Sequence, residues 1–210
     1  EMLKEPLLGS STRKGHSLGP LYLLAFLQAA ALAVATLPAL TLRVRDLTLA
    51  IGGSSSKAAS TCGIIAALRY TTEFLGGQAI TAWSDSFDHQ VTLVTSSAAL
   101  VVESALMAVS QSPCTIGAAH VLGGIFHSGG AVESSIIIGK RTNPASRAMA
   151  CGRLLAALGA ALALGPLISG GLAHVHAGAG PFLCAHVLAV LALAVGALRP
   201  PERPARMIRS

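Results

Sequence analysis

The chain has 210 residues, of which 52% are hydrophobic and 11% are charged, and its formal net charge is +6 at pH 7. Ordinary soluble domains are about 25% charged, so this chain has too little polar surface to cover a water-soluble globule. Aromatic residues are only 4% of the chain and do not alternate with the basic ones, which excludes a nucleic-acid partner. The composition therefore indicates an integral membrane protein surrounded by the lipid bilayer.

Apolar runs separated by short polar segments predict six membrane spans. Each run is long enough to cross about 30 Å of hydrocarbon as an α-helix. Residues 1–16 and 200–210 are predicted to be basic cytoplasmic tails, and residues 41–60 a polar loop. The fold class is an all-α membrane protein with a six-helix transmembrane domain within residues 17–199. The predicted spans are 18–40, 61–83, 91–109, 115–138, 149–173 and 181–198.

Lysine and arginine are distributed unevenly over the two sides of the predicted bundle. With six spans, both tails and the 139–147 loop share one side, which holds 10 of the 15 basic residues. Only Arg43, Arg45 and Lys57 fall on the opposite side. Cytoplasmic loops carry the excess of basic residues, so both termini are predicted to be cytoplasmic.

Five polar side chains are predicted to share a layer near the middle of the membrane, and we call this set the polar layer. Counted from the cytoplasmic ends at about 1.5 Å per residue, they lie roughly 15 to 21 Å deep. An ionisable group inside a span costs about 2.5 to 3.5 kcal/mol, so each needs a partner or a function. The polar layer consists of Gln28, Arg69, Glu73, Glu103 and His127.

Two interpretations of the polar layer stay open. In the first, Arg69 pairs with Glu73 four residues on, or with Glu103, and the layer is structural. In the second, the layer contacts a solute: Gln28 hydrogen-bonds it, His127 exchanges protons, and Glu73 or Glu103 carries a coupling proton.

Two motifs resemble one protein family. Residues 81–90, TAWSDSFDHQ, lie between predicted spans two and three and are similar to the major facilitator superfamily pattern G-x-L-A/S-D-R-x-G-R-K/R. The serine and Asp85 are retained. Residues 161–170, ALALGPLISG, resemble the span-five pattern G-x-x-x-G-P-x-x-G-G of drug-exporting members, with Gly165, Pro166 and Gly170 in register. The chain thus resembles the N-terminal six-helix half of a major facilitator transporter.

The resemblance implies transport of a small solute by alternating access, without a cofactor or a catalytic residue. It implies that the missing C-terminal half, or a second copy of the chain, completes the pathway. Asp85, with Glu133 and Arg153, is expected to form a charge cluster that latches the inner gate. Gly165, Pro166 and Gly170 are expected to act in packing and as a hinge, since small residues allow close helix approach and proline bends a helix. His120 falls where the family carries an arginine, with Gly124 four residues on.

Two alternatives belong to other functional classes. One is a non-transporting membrane fragment or regulatory partner. The other, more remote, is an intramembrane hydrolase, because Ser128 and Ser169 lie beside glycine. Neither serine has the G-x-S-G context of rhomboid-like proteases, since Phe126 and Leu167 take the place of the first glycine.

Cysteine and histidine spacing predicts no metal site. The four cysteines lie far apart without a CxxC pair. His174 and His176 are two residues apart in a predicted outer loop and indicate a solvated loop. A bridge between Cys62 and Cys114 stays open.

Overall fold

The computed structural model describes residues 17–86, 88–175 and 178–198. The elements in these ranges are all α-helices, which confirms the all-α class. The predicted tails 1–16 and 200–210, and His176, lie outside the described residues. The helices are α1 (Gly19–Thr36), α2 (Ala39–Ala50), α3 (Ser55–Ser86), α4 (His89–Val109), α5 (Pro113–Arg141), α6 (Pro144–Val175) and α7 (Gly180–Ala197).

Helix α2 corrects the prediction of a polar loop over residues 41–60. Helix α1 ends at Thr36 with Leu37 as its C-cap residue, and Pro38 is the N-cap residue of α2. Leu40, Val44 and Thr48 are buried at four-residue intervals, which places them on one face of the helix. This face packs against α3. Arg45 is exposed, whereas Arg43 is partly buried and donates to the carbonyl oxygen of Ser110 at 3.0 Å. These two charged residues made the segment resemble a loop in the sequence.

Five stretches of the described chain are long and apolar enough to cross a membrane: α1 with its extension α2, then α4, α5, α6 and α7. Helix α3 has 32 residues, as many as α6, but it carries Arg69 and Glu73 near its middle. Composition alone therefore does not qualify α3 as a span. Its place in the membrane depends on how those charges are neutralised.

The helices form two packed groups, which are joined by the contact between α4 and α7. Helices α3 and α4 both pack along α5, helices α6 and α7 both pack along α1, and α4 packs against α7. One apolar core cluster includes Val34, Ile116 and Phe182, and a second includes Leu24 and Leu154. Ionisable side chains of α3, α4 and α5 are thereby brought into the interior of one three-helix group.

Glycines mark the places where helices approach most closely. A Cβ added at Gly76 of α3 would lie 2.7 Å from the Cα atom of Ile125 in α5, so the two backbones are in contact there. A Cβ at Gly165 would lie 3.2 Å from the Cα atom of Ala33, which brings α6 against α1. Gly170 has no such neighbour within 4 Å. Helix α6 continues through Pro166.

Candidate functional site

Three buried ionisable residues form an ionic cluster, which we define as Arg69 of α3, Glu103 of α4 and His120 of α5. Their side chains are 5%, 2% and 1% exposed. Arg69 Nη1 donates to Glu103 Oε1, and His120 Nδ1 lies 2.6 Å from the same oxygen. Arginine carries only donors. An ionised Glu103 therefore accepts from both neighbours, and Arg69 Nη1 also lies 3.1 Å from His120 Nδ1.

Two consecutive glycines of α5 make room for this cluster. A Cβ at Gly123 would collide with the carboxylate of Glu103, and a Cβ at Gly124 would lie 2.8 Å from the carbonyl oxygen of Arg69. A side chain at either position would push α3 or α4 away. The sequence GG at 123–124 therefore allows helices with ionisable residues to pack at backbone distance.

Glu73 and His127 lie at the accessible edge of the cluster. Glu73 Oε2 is 4.0 Å from Arg69 Nε, and the Glu73 side chain is 30% exposed. His127 is half-buried and close enough to interact with the charges of Arg69, Glu73 and Glu103. The structure thus brings four of the five predicted polar-layer residues together. Arg69 makes its shorter ion pair with Glu103, and Glu73 is a second, more distant partner.

Gln28, the fifth predicted residue, sits in a separate contact between α1, α4 and α5. Its side-chain amide donates to Ser97 Oγ at 2.8 Å and is buried. A Cβ at Gly130 would lie 3.1 Å from the Gln28 amide carbon. Among the described residues it makes no hydrogen bond to the ionic cluster.

A second group of polar residues lies where α3 ends and α4 begins, and we call it the helix-end network. It consists of Ser84, His89, Glu133 and Lys140. His89 Nδ1 lies 2.6 Å from Glu133 Oε2 and 2.9 Å from Ser84 Oγ, while His89 Nε2 contacts Lys140 Nζ. A lysine ammonium only donates, so Nε2 accepts and Nδ1 carries the proton towards Glu133.

The predicted cluster of Asp85, Glu133 and Arg153 needs correction at Arg153. Arg153 is exposed and donates to Met149 Sδ at 3.4 Å, one helical turn away, and it makes no ion pair with Glu133. Glu133 is fully buried against His89 instead. Asp85 lies in the last turn of α3, and its side chain is outside the described part of the structure.

The remaining candidate residues give no reaction centre. Ser169 is buried in α6, and its hydroxyl has no hydrogen-bond partner in the described chain. The side chain of Ser128 lies outside the described residues. Cys62 and Cys114 are both free, so the bridge between them does not form. The described residues include no group of three or more metal-binding side chains.

A bundle of long apolar helices around a buried ionic cluster defines a multi-pass membrane protein. The family model of the Major Facilitator Superfamily matches residues 18–209, so the chain belongs to this superfamily. This confirms the resemblance drawn from the two motifs. The superfamily consists of transporters and not of enzymes, in agreement with the expectation that the chain has no catalytic residue. Among curated proteins, no relative matches the chain.

Solved structures of three transporters have a similar fold. A mutant of the peptide transporter POT in complex with sulfate is 18% identical, with a TM-score of 0.71 over 88% of this chain. The human organic anion transporter MFSD10 (TETRAN) is 20% identical, with a TM-score of 0.71 over 89%. A D-xylose-proton symporter is 15% identical, with a TM-score of 0.67 over 89%. The chain spans 38%, 48% and 49% of the lengths of these structures.

Proposed function

We propose that this chain forms one six-helix half of an alternating-access transporter for a small solute. The solute, or an ion coupled to it, meets the polar layer at Arg69, Glu73, Glu103 and His127. The observation that carries the proposal is the ionic cluster, which lies between the long helices of a transporter-family bundle. Transporters bind their solutes near the middle of the membrane, on helices that line a cavity.

The incomplete pairing of the cluster supports a functional role over a purely structural one. Arg69 Nη2 and Glu103 Oε2 are buried without a hydrogen-bond partner in the described chain. Buried ion pairs contribute little net stability, and apolar residues of similar volume often serve a fold equally well. Charged groups inside membrane helices generally mark the path of a solute or an ion.

We further propose that a second six-helix unit completes the pathway, either a C-terminal half or a second copy of this chain. The support is that the polar layer is accessible on one side, at Glu73 and His127. In this arrangement the helix-end network links α3, α4 and α5 at the cytoplasmic end of the bundle.

If the chain has six spans and both termini are cytoplasmic, Ser54 and Ser146 lie on opposite sides of the membrane. Between Ser54, before α3, and Ser146, at the start of α6, the chain crosses the membrane three times if α3 is a span, and twice if it is not. With the native cysteines replaced, Ser54→Cys and Ser146→Cys should react with an impermeant maleimide from opposite sides. Ser146→Cys should react only after the membrane is permeabilised, which gives the reagent access to the cytoplasmic face. Labelling of both from one side would show that α3 does not cross.

The transport proposal is tested by solute flux into proteoliposomes that contain the full chain. The panel consists of radiolabelled organic cations, anions and neutral solutes of similar size. We expect saturable entry of at least one class, and loss of that entry in the double variant Arg69→Met/Glu103→Leu, which removes both charges of the buried pair together. Equal flux with the wild-type chain and the variant would contradict the proposal.

A further inference from the structure

We propose that the polar layer selects an organic cation as its solute. This inference rests on the proposed function, because it requires the layer to face a solute pathway. It goes further by assigning the charge of the solute from the arrangement of three ionised residues.

The charges of the layer do not cancel. Arg69 supplies one positive charge, and Glu73 and Glu103 supply two negative charges, which leaves −1 when the histidines are neutral. Glu103 forms a short ion pair with the guanidinium of Arg69, and the same oxygen accepts a hydrogen bond from His120. Its charge is therefore compensated within the bundle. The surplus negative charge resides on Glu73.

Glu73 is also the accessible carboxylate of the layer. Its side chain is 30% exposed against 2% for Glu103, and it makes no hydrogen bond within the described residues. At 4.0 Å, its contact with Arg69 Nε is at the limit of an ion pair. A carboxylate in contact with lipid at this depth is costly, so such groups face the bundle interior or a water-filled cavity. A cation that reached Glu73 would find a carboxylate that lacks a full partner.

The surroundings of Glu73 favour an organic cation over a metal ion. Hard metal ions need about six oxygen ligands, and the described residues include no group of three or more metal-binding side chains. Tyr70, one turn before Glu73 and next to it on the helix surface, is 69% exposed. Aromatic faces attract ammonium groups and cover apolar substituents. An aromatic or alkyl ammonium ion matches this combination.

The test is equilibrium binding to the full chain in phosphatidylcholine nanodiscs, with empty nanodiscs subtracted. The probes are radiolabelled phenyltrimethylammonium and benzenesulfonate, a cation and an anion of similar size. We expect saturable binding of the cation and at least about tenfold weaker binding of the anion, a difference of about 1.4 kcal/mol. Glu73→Gln should weaken cation binding by about the same factor, and Glu73→Asp should retain the preference for the cation.

The matched control is Asp46→Asn, which removes one carboxylate at an exposed position on α2. Cation binding should be unchanged in this variant. Equal affinity for the anion would overturn cation selection and leave the transport proposal standing. Binding of neither probe would overturn the inference together with the proposed role of the layer. Cation binding without flux in proteoliposomes would support cation recognition by the layer, contradict the transport proposal and overturn the cation's role as a solute.

Discussion

Glu103→Leu is expected to destabilise the folded bundle by about 3 to 5 kcal/mol, the usual cost of removing one partner from a buried ion pair. The substitution leaves the guanidinium of Arg69 buried at 5% exposure with Glu73, at 4.0 Å, as its nearest remaining carboxylate. It also removes the acceptor of His120. Thermal unfolding of the purified chain in detergent, followed by circular dichroism, measures the loss as a lower midpoint.

The double variant Arg69→Met/Glu103→Leu separates charge from packing. Replacing both ions with apolar side chains of similar volume is often neutral or stabilising, so the midpoint should return towards that of the wild-type chain. The two single substitutions should therefore be strongly non-additive, because they remove one shared interaction. Additive losses in the double variant would show that Arg69 and Glu103 do not pair in the folded chain.

Gly76→Ala is expected to cost about 1 to 3 kcal/mol or more, as overpacking a close contact does. The new methyl group would meet backbone atoms of Ile125, which cannot rotate away as a side-chain end could. Helices α3 and α5 would have to separate, and that movement would also pull Arg69 away from His120. A lower unfolding midpoint, measured as above, is the expected result.

Gly63→Ala provides the matched control on the same helix. Gly63 is exposed, and a Cβ there has no neighbour within 4 Å. Alanine is the better helix former by about 0.5 to 1 kcal/mol, so this variant should be as stable as the wild-type chain or slightly more stable. If both alanine variants behaved alike, the close contact at Gly76 would be contradicted.

The helices were predictable from the sequence because long uncharged runs leave few other structures possible in lipid. Helix α2 was not, since Arg43, Arg45 and Asp46 hid the four-residue spacing of its buried face. A test of that spacing, with Leu40 and Val44 in register, would have revealed it. Apolar helices were thus easier to predict than a helix with one charged face.

The ionic cluster was predicted in part. Depth along each helix grouped Arg69, Glu73, Glu103 and His127, and the structure brings them together. The depth of a residue along its helix does not show whether Glu73 or Glu103 is the nearer partner of Arg69. That choice depends on the rotation of α3 relative to α4. His120 was missed as a partner, although a histidine aligned with a family arginine was a usable signal.

The helix-end network was hidden for a different reason. His89 lies in the turn motif, four residues after Asp85. The family pattern for this turn contains the aspartate and no histidine, so it did not indicate His89. Its partners Glu133 and Lys140 are 44 and 51 residues away in the sequence. No local pattern joins residues so far apart, whereas the helix packing does.

The order of the ionic cluster along the chain has a consequence for biogenesis. Arg69 leaves the ribosome before its partners, since Glu103 follows by 34 residues and His120 by 51. When α3 reaches the translocon, the arginine has only Glu73 of its own helix to offset its charge. Insertion of α3 is therefore expected to depend on α4 and α5, whose Glu103 and His120 supply the partners of Arg69. A hydropathy value describes one helix at a time and omits this contribution.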